Sequence, residues 1–342
     1  MSRLSKYNKV LSPLNTLETK DLITLVVKNM TGRKMMGITS AFVINDIKVF
    51  AKVIPVTDVD LFNMYDTANI HNLPLYYNYG IGSAGFGCWR ELNFHIKASN
   101  WVLNKVCVNF PILYHHRIVK SSRIKMAEYM YDPNMAKRWN RNKAIEKYTK
   151  KRSEASHFVI LCLEYFPSAL NKTLNDKNIQ WYLKQAININ TFLRKNKVIH
   201  FDPHPGNFIT DGKLIILTDY GLVLDKKFNL SAEEIDFFDK HTNFCSSYII
   251  GNLLTHVRRE VLKNNKRQFE RKYNVSNKTP VDIFYNTIFD NLDEIGSGFS
   301  KKYLTILKKY RKDIVNFNIF MSSLMRVSIE TPFPNKKVKL NM

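Results

Sequence analysis

The residue order predicts an α+β protein, with a small antiparallel sheet and one key helix in an N-terminal lobe and a larger, mostly helical C-terminal lobe. Two observations carry this. Strand-like runs rich in β-branched and aromatic residues fill the first half, interrupted by a single amphipathic helical pattern, whereas after Pro167 the apolar spacing is helical. With 342 residues, 45% of them hydrophobic, the chain can bury a substantial core in one large or two modest units. Its longest apolar run, Phe158 to Leu163, is strand-sized, far short of the roughly 18–20 residues of a membrane-spanning helix.

Taken in order, residues 1–20 are polar and read as an N-terminal extension. Leu22 to Val27 reads as a strand, followed by a turn-rich stretch with Gly32 and Gly37. Ser40 to Ile44, a tight Asn45-Asp46 turn, and Lys48 to Ile54 complete a three-strand meander. A loop rich in Tyr, Asn and Gly ends at Gly85-Phe86-Gly87. A helix then spans about Trp89 to Leu103, with Leu92, Ile96, Ser99 and Leu103 on one face. Two further strands, Phe110 to Val119 and His157 to Leu163, flank a basic insert at about 120–152, read as a solvated surface helix; the sharper reading is a docking face for an acidic partner or anionic effector. The sheet part therefore covers 21–166 and the helical part 167–342. In the latter, a helical stripe through Trp181, Leu183, Ile187 and Phe192 marks Ile179 to Lys195, and Ser231 with Glu234 forms a capping box.

A net charge of +23 raises nucleic-acid binding, but Lys and Arg are spread along the whole chain and no zinc-finger, basic-zipper or RNA-binding signature occurs. The field favours acidic partners, anionic lipid or polyanions without a specific site. Cys88, Cys107, Cys162 and Cys245 have no paired spacing, and the N-terminus has no apolar signal-peptide core. Both features predict a soluble, cytosolic protein. The lysine- and asparagine-rich composition would also suit an effector delivered into another cell's cytosol.

Chemistry concentrates at His200-Phe201-Asp202-Pro203-His204-Pro205-Gly206-Asn207, followed by Thr218-Asp219-Tyr220-Gly221. Phosphoryl transfer from ATP needs an acid that orients the acceptor hydroxyl, an amide oxygen on magnesium and a metal-binding carboxylate. H-x-D-x-x-x-x-N followed by D-x-G supplies all three in order. Upstream, Lys52 lies in the apolar strand Val49 to Ile54, and Glu91 is the one acid in the following helix. Leu163-Glu164-Tyr165-Phe166 ends the fifth strand.

On these residues the chain resembles the protein kinase-like superfamily, from about Leu22 to the helices after Ser231. The resemblance implies ATP and Mg²⁺ as cofactors. Asp202 would accept the acceptor's proton, Asn207 and Asp219 would hold magnesium, and His200 would buttress the loop. Lys52 would pair with the phosphates, held by Glu91, and the backbone of Glu164 and Phe166 would bind adenine.

The departures from the family pattern matter as much. No G-x-G-x-x-G precedes Lys52; Gly37 with the amides of Thr39 and Ser40 is the candidate phosphate-facing turn. A second run, Gly80 to Gly87, reads as a flexible lead-in to the helix, with a phosphate contact as the alternative. His204 stands where many protein kinases have lysine, and D-P-H-P-G-N is similar to the wording of aminoglycoside phosphotransferases and UbiB-like kinases, although no K-x-G-Q occurs. The short stretch between Gly221 and Ser231 leaves no room for a long activation segment.

The expectation is an atypical Ser/Thr protein kinase. The alternatives are a small-molecule phosphotransferase, with Asp236 and Asp239 available to a cationic acceptor, and a non-catalytic scaffold.

Overall fold

The computed structural model describes residues 1–33, 37–126, 137–175, 177–276 and 278–335. It is a mixed α/β structure built on a five-stranded antiparallel sheet in the order β1-β2-β3-β5-β4. The strands are β1 (Met30–Arg33), β2 (Gly37–Ile44), β3 (Ile47–Val56), β4 (Leu113–Lys120) and β5 (His157–Glu164). Asn45 and Asp46 turn the β2–β3 hairpin at φ +47° and +64°, the positive angles of a turn whose twist matches paired strands. Alternation along β2 places Ile38, Ser40 and Phe42 on the buried face and Thr39 on the other, opposite Lys52 of β3.

Two expectations at the N-terminus are corrected. Residues 1–20 are not an extension: α1 (Arg3–Thr16) is capped by Ser2 and packs Val10 and Leu14 into the main core, with Tyr7 and Leu17 alongside. Those four residues recur at spacings of three and four, a helical stripe hidden by the polar residues between them. Leu22 to Val27 is not a strand but part of α2 (Thr19–Lys28), which buries Leu22, Ile23 and Val26 and leaves Thr24 exposed. β-branched residues favour strands only weakly, and the tertiary burial pattern overrode them here. The first strand of the meander is instead the short β1.

α1 is fastened at both ends. Arg117 of β4 donates to the carbonyls of Leu14 and Leu17, satisfying its C-terminal acceptors. At the other end, Arg3 grips the buried Glu164 carboxylate at 2.6 Å and donates to the Val108 and Phe110 carbonyls. Arg3→Met would strand a carboxylate that is 4% exposed. The expected loss is about 3 kcal/mol, read as a lower denaturant midpoint with an unchanged slope.

The helix between β3 and β4 is α4 (Cys88–Leu103), preceded by the short α3 (Asp58–Phe62). The part of the basic insert described here holds α5 (Lys143–Ser153), while residues 127–136 lie outside the described residues. α5 is not a merely solvated helix. Lys143, Lys147 and Lys150 are exposed, but Ile145, Tyr148 and Arg152 are buried, and the Tyr148 hydroxyl accepts from the Gly87 amide at 2.9 Å. The insert thereby props the segment that leads into α4.

After Glu164 come α6 (Leu170–Thr173), α7 (Ile179–Lys195) and the strands β6 (Ser168–Ala169), β7 (Val198–Ile199), β8 (Phe208–Thr210), β9 (Ile215–Leu217) and β10 (Leu224–Asp225). The remaining helices are α8 (Ala232–Lys240), α9 (Phe244–Gly251), α10 (Leu254–Lys272), α11 (Val281–Asp290), α12 (Leu292–Ile295), α13 (Lys301–Lys309) and α14 (Arg311–Arg326). Ser231 and Glu234 form the expected capping box on α8. No helix among the described residues is long and apolar enough to cross a membrane. Cys88, Cys162 and Cys245 are buried free thiols, and Cys107 is partly buried.

Candidate active site

Two loops meet between the sheet and the helices. The first follows β7 and carries His200, Asp202 and Asn207; the second joins β9 to β10 and carries Asp219 and Gly221. They are tied together by three hydrogen bonds. His200 donates from Nε2 to the Thr218 carbonyl at 3.0 Å, and the Thr218 amide and hydroxyl donate to the Asn207 carbonyl at 2.9 and 3.0 Å. Burial pushes the His200 imidazole down to about 4, which holds it in the neutral form this bridge uses. Phe201 and Asp219 both sit at φ above +60°. Such strain persists in non-glycine residues only where packing enforces it, and it clusters at functional sites. For Phe201 the enforcing contacts are the rings of Phe237 and Phe244.

The Asp202 carboxylate receives the Asn207 amide N–H at 2.9 Å and the Tyr248 hydroxyl at 3.3 Å, with His204 Nε2 3.6 Å away. Burial is the largest influence on it and pushes the carboxyl up to about 6. Asp219 works in the same direction, while His204, Asn207 and Tyr248 oppose. Asn207 spends its N–H groups on Asp202, so its amide oxygen is the group left to face a cation.

Across the cleft, Lys52 Nζ lies 2.5 Å from Glu91 Oε1 and 2.7 Å from Asp219 Oδ1. Burial alone would lower the Lys52 ammonium, but Asp219 and Glu91 outweigh it and hold the group above its ordinary value. For Glu91, burial works upward, and Lys52 with His95 brings the carboxyl down to about 2. The sequence-predicted residues Lys52, Glu91, Asp202, Asn207 and Asp219 thus line one cleft of about 220 Å³.

α4, which carries Glu91, is locked to elements beyond Gly221. Arg90 donates to Glu234 at 2.7 Å with both side chains buried, and Lys97 pairs with Asp225. Glu234 uses its other oxygen in the capping box of α8, so one carboxylate both starts that helix and anchors α4. Nothing in the local sequence announces these ties, or Tyr248, because each joins residues far apart in the chain.

The glycine run before α4 is more than a lead-in. Gly80, Gly82, Ser83 and Gly85 line the cleft beside Asp202 and Asp219. A Cβ on Gly80 would stand 3.6 Å from Asp202 Oδ1, and one on Gly85 would stand 2.5 Å from the Gly221 carbonyl oxygen. The Phe86 amide donates to that same carbonyl at 3.2 Å. The run is therefore seated on the loop that carries Asp219 and Gly221, and its glycine density is the signal for that close approach.

The expected phosphate turn at Gly37, Thr39 and Ser40 is corrected. Gly37 does line the cleft, at φ +74°. Thr39 and Ser40, however, lie within β2, paired on both sides, so they form no turn. The Ser40 side chain is buried on the face away from Lys52. At the end of β5, the Glu164 amide donates to the Ile112 carbonyl at 2.9 Å and its carboxylate is held by Arg3, whose guanidinium also lies 5.7 Å from the Phe166 ring centre. Asp236 and Asp239 pair with Lys240 and Lys226, each at 2.6 Å, and do not line the cleft.

No protein-family model matches the chain, and no curated protein matches it either. Among the described residues no three His, Cys, Asp or Glu side chains cluster as a self-sufficient metal site. Magnesium does not need one, since it is commonly held by one or two protein ligands together with substrate phosphates. Asn207 and Asp219 fit that requirement.

A buried histidine near the site makes stability depend on pH. His241 donates from Nδ1 to the Phe237 carbonyl and accepts the Tyr79 hydroxyl at Nε2, so both nitrogens are used by the neutral ring. Burial pushes it down to about 4, from an ordinary value of 6.5. The unfolded chain therefore takes up a proton first as pH falls. His241 contributes stability above pH 6.5, and that contribution drains away between 6.5 and 4. His200 adds a second such term. Denaturant midpoints measured across this window should fall, and His241→Gln should flatten the slope; an unchanged slope would remove His241 from the linkage.

Proposed function

We propose that this protein is an ATP- and magnesium-dependent phosphotransferase that uses a hydroxyl group as acceptor, on a two-lobed protein kinase-like fold. The single observation that carries the reading is the Lys52 ammonium bridging Glu91 and Asp219 in the same cleft as Asp202 and Asn207. One lysine between two carboxylates provides a fixed cation for phosphate oxygens, and Asp219 with Asn207 provides magnesium ligands. Bound magnesium and ATP would supply charge neutralisation and the transferable phosphoryl group.

The roles of the chain's own residues follow. Asp202, held by Asn207 and Tyr248, orients the acceptor hydroxyl and takes up its proton. The acceptor oxygen bonds to the terminal phosphorus as the bond to the bridging oxygen breaks, and ADP leaves. His200 fixes the two loops at one distance. The glycine run offers backbone at close range to the phosphates, a position that a side chain would block. At about 220 Å³ the cleft suits phosphates and metal. The base would then lie against β3 and the segment after Glu164.

Regulation by a long activation segment finds no support here. Between Gly221 and Ser231, β10 pairs with β7, the Lys226 amide donates to the Lys197 carbonyl, and Asp225 holds Lys97. Locking α4 through Arg90 and Lys97 suits an enzyme assembled in its working state. A required phosphosite between Leu222 and Leu230, found by mass spectrometry, would contradict this.

The test is labelled ATP with magnesium. Binding at a hundredfold excess over Kd should stabilise the protein by about 2.7 kcal/mol, seen as a raised thermal midpoint. Chelation of magnesium should abolish label transfer. Absence of both nucleotide stabilisation and transfer would favour the scaffold reading.

A further inference from the structure

A second cavity, of about 630 Å³, is lined in part by His204, Pro205 and Gly206 of the loop that carries Asp202. It lies among α6, α7, the 204–206 segment, α9, α10 and α13, and His204 lines both it and the cleft. Tyr248 also lines it, and the Tyr248 hydroxyl donates to Asp202. The cavity thus reaches Tyr248 and His204, the two side chains beside the carboxylate of the proposed proton acceptor, which itself lines the cleft. Its volume falls in the ~300–1,000 Å³ range of small-ligand sites.

Its lining says what it would hold. Tyr182 is 1% exposed, and its hydroxyl has no hydrogen-bond partner among the described residues. Buried hydroxyls are normally satisfied, so an unpartnered one in a cavity wall marks a place for a ligand's polar atom. Asn171, Asn252 and Thr255 add neutral polar groups. Among the described lining residues, Arg258 is the one side chain of fixed charge, and it is positive. Arg258 is held in place by the Tyr285 hydroxyl at 2.9 Å and by the Phe284 and Tyr285 rings, which uses one of its five donors.

Resting on the phosphotransferase reading, we infer that this cavity is the acceptor site and that the acceptor is a small polyhydroxylated molecule, neutral or anionic, rather than a polycation or a protein side chain. One hydroxyl would be presented to Asp202 between His204 and Tyr248, while others bond Tyr182 and Asn252. An anionic group would be read by Arg258. Its chosen oxygen bonds to the terminal phosphorus of ATP, its proton passes to Asp202, and ADP departs. The net charge of +23 favours the same sign of ligand. Asp236 and Asp239, which would suit a cation, do not line this cavity.

The experiment presents the full chain with magnesium and labelled ATP to myo-inositol, gluconate, kanamycin and dephosphorylated casein in parallel. Label should enter myo-inositol or gluconate. Tyr182→Phe, which removes only the hydroxyl, should raise KM for the labelled polyol about fivefold while moving KM for ATP far less. Arg258→Gln should weaken gluconate more than myo-inositol. Label in kanamycin or casein instead, or Asp219-dependent ATP hydrolysis with neither polyol labelled, would overturn the acceptor assignment and leave the phosphotransferase reading standing. Polyol transfer indifferent to Tyr182→Phe would overturn the role of the cavity. No Asp219-dependent ATP turnover of any kind would sink both readings together.

Discussion

Asp202→Ala should reduce phosphoryl transfer by at least about a thousandfold and, at neutral pH, leave the protein as stable as before or slightly more so. The two effects share one cause. Burial raises the Asp202 carboxyl to about 6, so above that pH its charged form is less favourable in the folded protein than in the unfolded chain. Removing it relieves that cost while deleting the proposed proton acceptor. Asp202→Asn should be equally inactive, because the amide keeps the shape and can still accept the Asn207 N–H but cannot take up a proton. Asp219→Ala should match the loss by a different route. It removes a proposed magnesium ligand and also one of the two anions beside Lys52. Thermal denaturation and label transfer measured on the same samples decide the matter. Transfer that survives both alanine variants would end the site assignment, and a large loss of stability in Asp202→Ala would show that its carboxylate is a structural group.

Gly85→Ala should damage the cleft severely. The residue sits at φ +84°, and the added carbon would lie 2.5 Å from the Gly221 carbonyl oxygen, a backbone atom that cannot swing aside. Strain at positive φ costs about 1–2 kcal/mol, and forcing the two loops apart adds about 1–3 kcal/mol. The loop that carries Asp219 would have to shift, so transfer should fall along with stability. Gly212→Ala is the control, since that residue has φ +89° but nothing within 4 Å of the added carbon. It should show the backbone cost alone, with ATP-dependent activity retained. Equal effects of the two substitutions would mean that the seat of Gly85 on Gly221 has no special part in the site.

Much of the candidate site is legible in the sequence, for a chemical reason. Asp202 and Asn207 belong to one short loop and Asp219 to the next, so their relation is set by local spacing, and Lys52 and Glu91 each lie on an element whose period marks it. The errors have equally definite causes. Val26 and its β-branched neighbours read as strand because strand preference is largely a preference for a half-buried surface, which a buried helix face also satisfies. α1 was missed because Tyr7, Val10, Leu14 and Leu17 are diluted by polar residues that the helix turns outward. Thr39 and Ser40 were placed in a turn because two nearby glycines suggested one, whereas β1 and β3 capture both residues as strand.

The sequence by itself determined the chemical groups at the cleft and their order, because loop spacing and strand or helix period act over a few residues. The tertiary structure alone decided what surrounds those groups. Arg3 with Glu164, Arg90 with Glu234, Gly85 against Gly221, and Tyr182 facing a cavity beside Asp202 are partnerships between distant segments. Their energies depend on burial and on distances of a few ångströms, quantities that come into being only once the chain has packed.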